Sequence, residues 1–140
     1  LESGLYSEIK SIQNEDWFDT YILNTIQDIR MFAKLERKFK DNGEQEAKGE
    51  AAVLTIAYLL NATVCSDNIS DVKPYVDRHN NIELKTTLGI LYDAYIENII
   101  NIEYGDKILT DIINDGNKMP VNSFQKVVDW FENGIGKEIF

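Results

Sequence analysis

Four carboxylates stand where this sequence could use them for chemistry: Glu8, Glu50, Asp67 and Asp71. Asp67 directly follows the apolar run ATVCS at 62–66, and Asp71 comes four residues later, at the start of the next expected helix. Glu50 follows Gly49, where a polar helix start gives way to an apolar continuation, and Glu8 lies on the opening amphipathic stretch. In a parallel α/β sheet, ligands gather at the carboxyl ends of the strands. If the fold brings these groups within a few ångströms, their like charges require a cation. Mg²⁺ or Mn²⁺ is the natural partner, because hard divalent ions take oxygen ligands. A second use stays open. Asp67 and Asp71 can cap a helix and interact with its dipole, and Glu8 can stand on a solvated helix face. Glu50, at the edge of a buried stretch, needs a partner in either case.

The remaining reactive side chains are few. Cys65 and His79 are each the only one of their kind, which excludes an internal disulfide and a histidine-rich zinc site. Cys65 is expected as a small core residue within its strand, and His79 as a helix residue at the surface. Single-cysteine usage fits a reducing, cytoplasmic compartment. The 14 Lys and Arg against 24 Asp and Glu leave a formal charge of −10, so most of the surface repels phosphate backbones. The exception is KLERKFK at 34–40: Lys34, Arg37, Lys38 and Lys40 form either a solvated face or a landing strip for a phosphate backbone.

The elements that must position these groups follow from periodicity. Leu5, Ile9 and Ile12 recur at helical spacing. WFDTYIL at 17–23 reads as a strand running into an N-cap at Asn24 or Thr25. A helix then runs to about Lys40 and stops at Asp41-Asn42-Gly43. AAVLTIAYLL, apolar on every side, predicts a sandwiched helix that Asn61 ends. ATVCS predicts a buried parallel strand, and Ser70 an N-cap with Pro74 in the first turn of its helix. Ile82 and Leu84 mark a third short strand, followed by helices over TTLGILYDAYIENII, Asp106–Asn114 and Ser123–Glu132. Strands alternating with helices predict an α/β fold whose parallel sheet is covered on both faces. No apolar run approaches the roughly 20 residues that cross a bilayer. The chain opens on Leu1 rather than Met, which implies processing or a longer parent chain.

GEAAVLTIAYLLNATVCSDN at 49–68 resembles the PIN-domain nucleases, which carry a Gly-Glu pair opening an Ala-rich helix, a short hydrophobic strand and a Ser/Thr-Asp-Asp/Asn turn. TTLGILYDAYIENIIN at 86–101 is similar to a helix of PIN-like proteins of prokaryotic toxin and phage type, and GLYSEIKSI to the helix that supplies the family's second acid. The resemblance implies a helix-rich three-layer α/β/α sandwich in a single domain, 1–140. It makes Glu8, Glu50 and Asp67 ligands of Mg²⁺ or Mn²⁺, with Asp71 as a fourth, and Glu50, Asp67 and Asp71 the catalytic acids of an endoribonuclease. It also implies RNA contacts at Lys34, Arg37, Lys38 and Lys48, and a toxin that pairs with an antitoxin. The family's opening strand, ending in Asp, has no counterpart before Glu8. That departure implies either a segment upstream, with oligomers or a supplied strand filling the gap, or a PIN-like module that binds through protein contacts.

Overall fold

The computed structural model describes residues 12–13, 15–41, 43, 48–79 and 81–135. Within them lie α1 (Ile26–Asp41), α2 (Lys48–Leu60), β1 (Val64–Cys65), α3 (Ile69–Val76), β2 (Leu84–Lys85), α4 (Thr87–Ile96), α5 (Ile102–Asn114) and α6 (Phe124–Glu132). The architecture is helix-rich with a short parallel sheet, compatible with α/β. None of these helices is long and apolar enough to cross a membrane. The opening helix expected around Glu8 lies outside the described residues.

α1 starts where its sequence closes a capping box. The Asp28 backbone N–H donates to Thr25 Oγ1 at 3.1 Å, and the Thr25 N–H donates back to Asp28 Oδ2 at 3.2 Å. Three helix ends close on left-handed residues: Asn61 (φ 50°) after α2, Asn98 (φ 58°) after α4 and Gly116 (φ 91°) after α5. In each case the following N–H reaches back to a carbonyl five residues earlier, as from Ala62 to Ala57 at 3.1 Å. Gly43 (φ 97°) follows α1 as its sequence demands.

β1 and β2 pair in parallel with Val64 opposite Leu84 and Cys65 opposite Lys85, and α3 forms the connection. The expected strand at 17–23 does not form. These residues carry no regular structure; Phe18 N–H closes a turn on the Glu15 carbonyl at 3.0 Å, and Asp19 accepts from Thr20 N–H at 2.7 Å. Apolar character alone does not make a strand when no neighbour offers a ladder.

Three local expectations also change. Cys65 points out of the core and is exposed, while Val64 before it is buried, because successive strand residues face opposite ways. Asn68 rather than Ser70 precedes α3, the Ser70 hydroxyl donating to Asp71 instead, and Pro74 sits in the second turn. α2 buries one face, Ala51, Leu54, Thr55 and Ala57, and leaves Val53 and Leu60 exposed, so it is covered on one side and not sandwiched.

The core falls into two clusters. In the first, Leu35 and Phe39 of α1 pack on Ala51, Leu54 and Ala57 of α2, with Val64 and the α3 residues Val72, Tyr75 and Val76. In the second, Leu88 of α4 and Leu109 of α5 meet Val121 and the Phe124, Val127 and Val128 face of α6. α4 abuts β2 and both later helices, which joins the two.

Candidate functional site

The described carboxylates of the expected metal site differ in their surroundings. Asp67 leaves β1 and ties to the N-terminus of α4: its Oδ1 accepts from the Thr87 N–H at 2.8 Å and its Oδ2 from the Thr87 hydroxyl at 2.6 Å. Thr86 completes the cap by accepting from the Gly89 N–H at 3.2 Å. The carboxylate therefore caps a helix, though α4 and not the α3 that follows it in sequence. Asp71 accepts from Ser70 and borders a depression shared with Lys38, Asp41, Pro74 and Arg78. Glu50, half-buried, borders a separate small depression of about 160 Å³ beside Val64, Cys65 and Ser66 at the carboxyl end of β1. Among the described residues no group of three or more His, Cys, Asp or Glu side chains could hold a metal ion. Glu8 lies outside the described residues.

A different place gathers functional groups. Between α1, the end of α2 and the turn after α3 runs a groove of about 540 Å³. α1 contributes Arg30, Lys34 and Lys38 along its rim, with Met31 and Leu35 beneath. Positions four apart on a helix share a face, so these three cations stand in one row. α2 adds Tyr58 and Leu59 to the floor, and the α3 side adds Tyr75, Arg78 and His79. Among the described residues no carboxylate lines it.

Local chemistry fixes the floor. The Tyr58 hydroxyl donates to the Tyr75 carbonyl at 2.9 Å, and burial pushes the Tyr58 phenol above its ordinary range. His79 stacks on the Tyr58 ring with centroids 3.8 Å apart. Tyr75 lies against Phe39, centroids 4.5 Å apart, and the Arg78 guanidinium sits 5.6 Å from the Tyr75 ring centre. The rings are thus held by neighbours, and an incoming group would meet them together with Met31, Leu35 and Leu59.

Of the expected RNA-contacting residues, Lys34 and Lys38 line this groove, whereas Arg37 and Lys48 are exposed but do not. Lys40 bonds Glu36 at 2.7 Å, and that hydrogen bond holds the Glu36 carboxyl below its usual range. Arg30, Arg78, Tyr58 and Tyr75 were not singled out from sequence. The spacing of Arg30, Lys34 and Lys38 was the readable signal; the Arg78 and Tyr58 contributions depend on how α2 and α3 pack. Comparison of the chain with protein-family models, with curated proteins and with solved structures finds no match.

Proposed function

We propose that this chain is a PIN-like α/β/α module that acts through protein contacts made at the basic groove. The observation that carries this reading is the groove itself: a row of cations over an apolar floor, with no carboxylate among the described residues that line it, on a protein of net charge −10. Such a surface recognises an acidic, apolar segment, whose side chains fill the floor while its carboxylates meet the rim. Single-stranded RNA is the weaker fit, because base recognition uses open aromatic faces, and Tyr58 already stacks on His79. The engagement of both Asp67 oxygens by Thr87 supports a structural use of that carboxylate.

A second reading is favoured by one observation, the position of Glu50 beside the carboxyl end of β1. It is a Mg²⁺- or Mn²⁺-dependent ribonuclease of PIN type using Glu8, Glu50 and Asp67, which would suit a toxin. One experiment separates the two. Incubation of the chain with single-stranded RNA and Mn²⁺ is expected to give no cleavage, and Glu50→Gln is expected to change nothing in that assay. Metal-dependent cleavage that Glu50→Gln and Asp67→Asn each abolish would overturn the first reading in favour of the second.

A further inference from the structure

We infer that the groove receives residues 15–23 of a second copy of this chain, so that two copies exchange these segments reciprocally. The inference rests on the reading of the groove as a protein-contact surface and names its occupant. The segment directly precedes α1 and carries Glu15, Asp16 and Asp19 with no Lys or Arg, interleaved with Trp17, Phe18, Tyr21, Ile22 and Leu23. Three of its apolar side chains are exposed in the single chain, Trp17 and Ile22 at 70% each and Tyr21 at 42%, while Phe18 and Leu23 are partly buried. Large exposed apolar groups on consecutive turns of chain mark an interaction site. The groove offers the complement in both respects, an aliphatic floor from Met31, Leu35 and Leu59, and cations at Arg30, Lys34, Lys38 and Arg78.

Dimensions agree. At about 3.3 Å per extended residue, Trp17 to Ile22 spans about 17 Å. At 1.5 Å per helical residue, the α1 rim from Gln27 to Lys38 is about 17 Å long.

In the single chain none of residues 15–23 lines the groove, and Trp17, Tyr21 and Ile22 stay exposed. Two copies can each supply a segment and a groove at once, and reciprocal exchange is the closed, two-fold arrangement that homodimers favour. A specific interface buries about 1,200 to 2,000 Å² in total, and reciprocal exchange divides that requirement between two grooves. General repulsion between two acidic copies is screened beyond about 8 Å at physiological salt, whereas the contact pairs at the rim are not.

Sedimentation velocity on the full chain, with a reductant because Cys65 is exposed, tests this by charge reversal. The wild-type chain is expected to dimerise. The double variant Lys34→Glu with Lys38→Glu, and the double variant Asp16→Lys with Asp19→Lys, are each expected to weaken self-association roughly tenfold or more. An equimolar mixture of the two variants should restore the dimer, since each groove then faces a segment of opposite charge. Rescue of this kind cannot come from misfolded protein. A wild-type chain that stays monomeric at about 100 μM, far above the dissociation constants of specific interfaces, overturns the inference. So do variants that dimerise like wild type, or a mixture that fails to recover. RNA cleavage with Mn²⁺ would instead fell the underlying reading and is scored in a separate assay, so the two failures are distinguishable.

Discussion

The two core clusters bury apolar surface by different means, and the groove borders the first of them. Around α1 and α2 the filling is uneven: Ala51 and Ala57 bring helices close, Phe39 fills the centre, and the turn after α3 stops short of the α1 rim. Around α4 to α6 aromatic side chains close the space. Tyr92 stacks on Phe131 with centroids 4.5 Å apart and planes 11° apart, and Tyr95 meets Phe124 edge-on at 5.9 Å. α5 and α6 approach so closely that a Cβ at Gly105 would land on the Phe124 ring. The groove borders the first cluster, where the small residues Ala51 and Ala57 pack with Phe39 and Tyr75.

The sharpest test of this contrast removes the central ring of each cluster. Phe39→Ala and Phe124→Ala act on side chains that are fully buried, and each is expected to cost about 3 to 5 kcal/mol. Thermal unfolding followed by circular dichroism should show a single lowered transition in both variants if the α4 junction couples the clusters. Two transitions, one unmoved, would show them to be independent. Gly105→Ala comes next. The added methyl meets a ring that has no room to retreat, so overpacking of about 2 kcal/mol should exceed the gain from better helix propensity; the same change at Gly49, which has open space, should stabilise slightly.

Asp67→Asn probes the junction itself. Thr87 loses a charged acceptor at the head of α4, and stability should fall by about 1 kcal/mol, measured by urea titration. The ion pair between Lys85 and Asp93, which raises the Lys85 pKa, ties β2 to the same helix.

The smallest effect is a pH dependence confined to the first cluster. Hydrogen bonding from Thr25 holds the Asp28 carboxyl below its ordinary value of 3.8, against the opposing pull of burial. The folded protein therefore binds its proton less readily than the unfolded chain does. The contribution is fully present above the ordinary value and is lost as pH falls through the lower folded value. Asp28→Asn should lower stability near neutrality, converge on wild type as pH falls below the ordinary value, and so flatten the acid limb of a stability–pH curve, as urea midpoints across pH 2 to 7 would show.

The legibility of this fold from sequence divides along physical lines. Helix ends were readable because their signals are local: Thr25 as a cap, Asn61 and Gly43 as stops, and Ser123 before α6 need only a few neighbouring residues. The parallel strands after Asn61 and around Leu84 were also placed, though shorter than expected. The apolar run at 17–23 forms no strand, because β structure depends on a distant partner that composition does not reveal. Asp67 stood out for its place at a strand end, yet its hydrogen bonds lie twenty residues away, at Thr87. The groove was half legible, since Lys34 and Lys38 were noted as a cluster while Tyr58 and Arg78 arrive through packing.

The hydrogen bonds from Thr87 to Asp67 close a loop of twenty residues around α3, and this gives them a place in the order of assembly. Helices α1 and α2 can form and dock from nearby chain, whereas the Asp67 contact requires both short strands already in register. Loop closure costs entropy before its contacts return anything, so this tie belongs to the last events of folding and the first of opening. The joint between the clusters is then where hydrogen exchange should reveal the earliest breathing of the native chain, at the amides of Thr87 and Gly89.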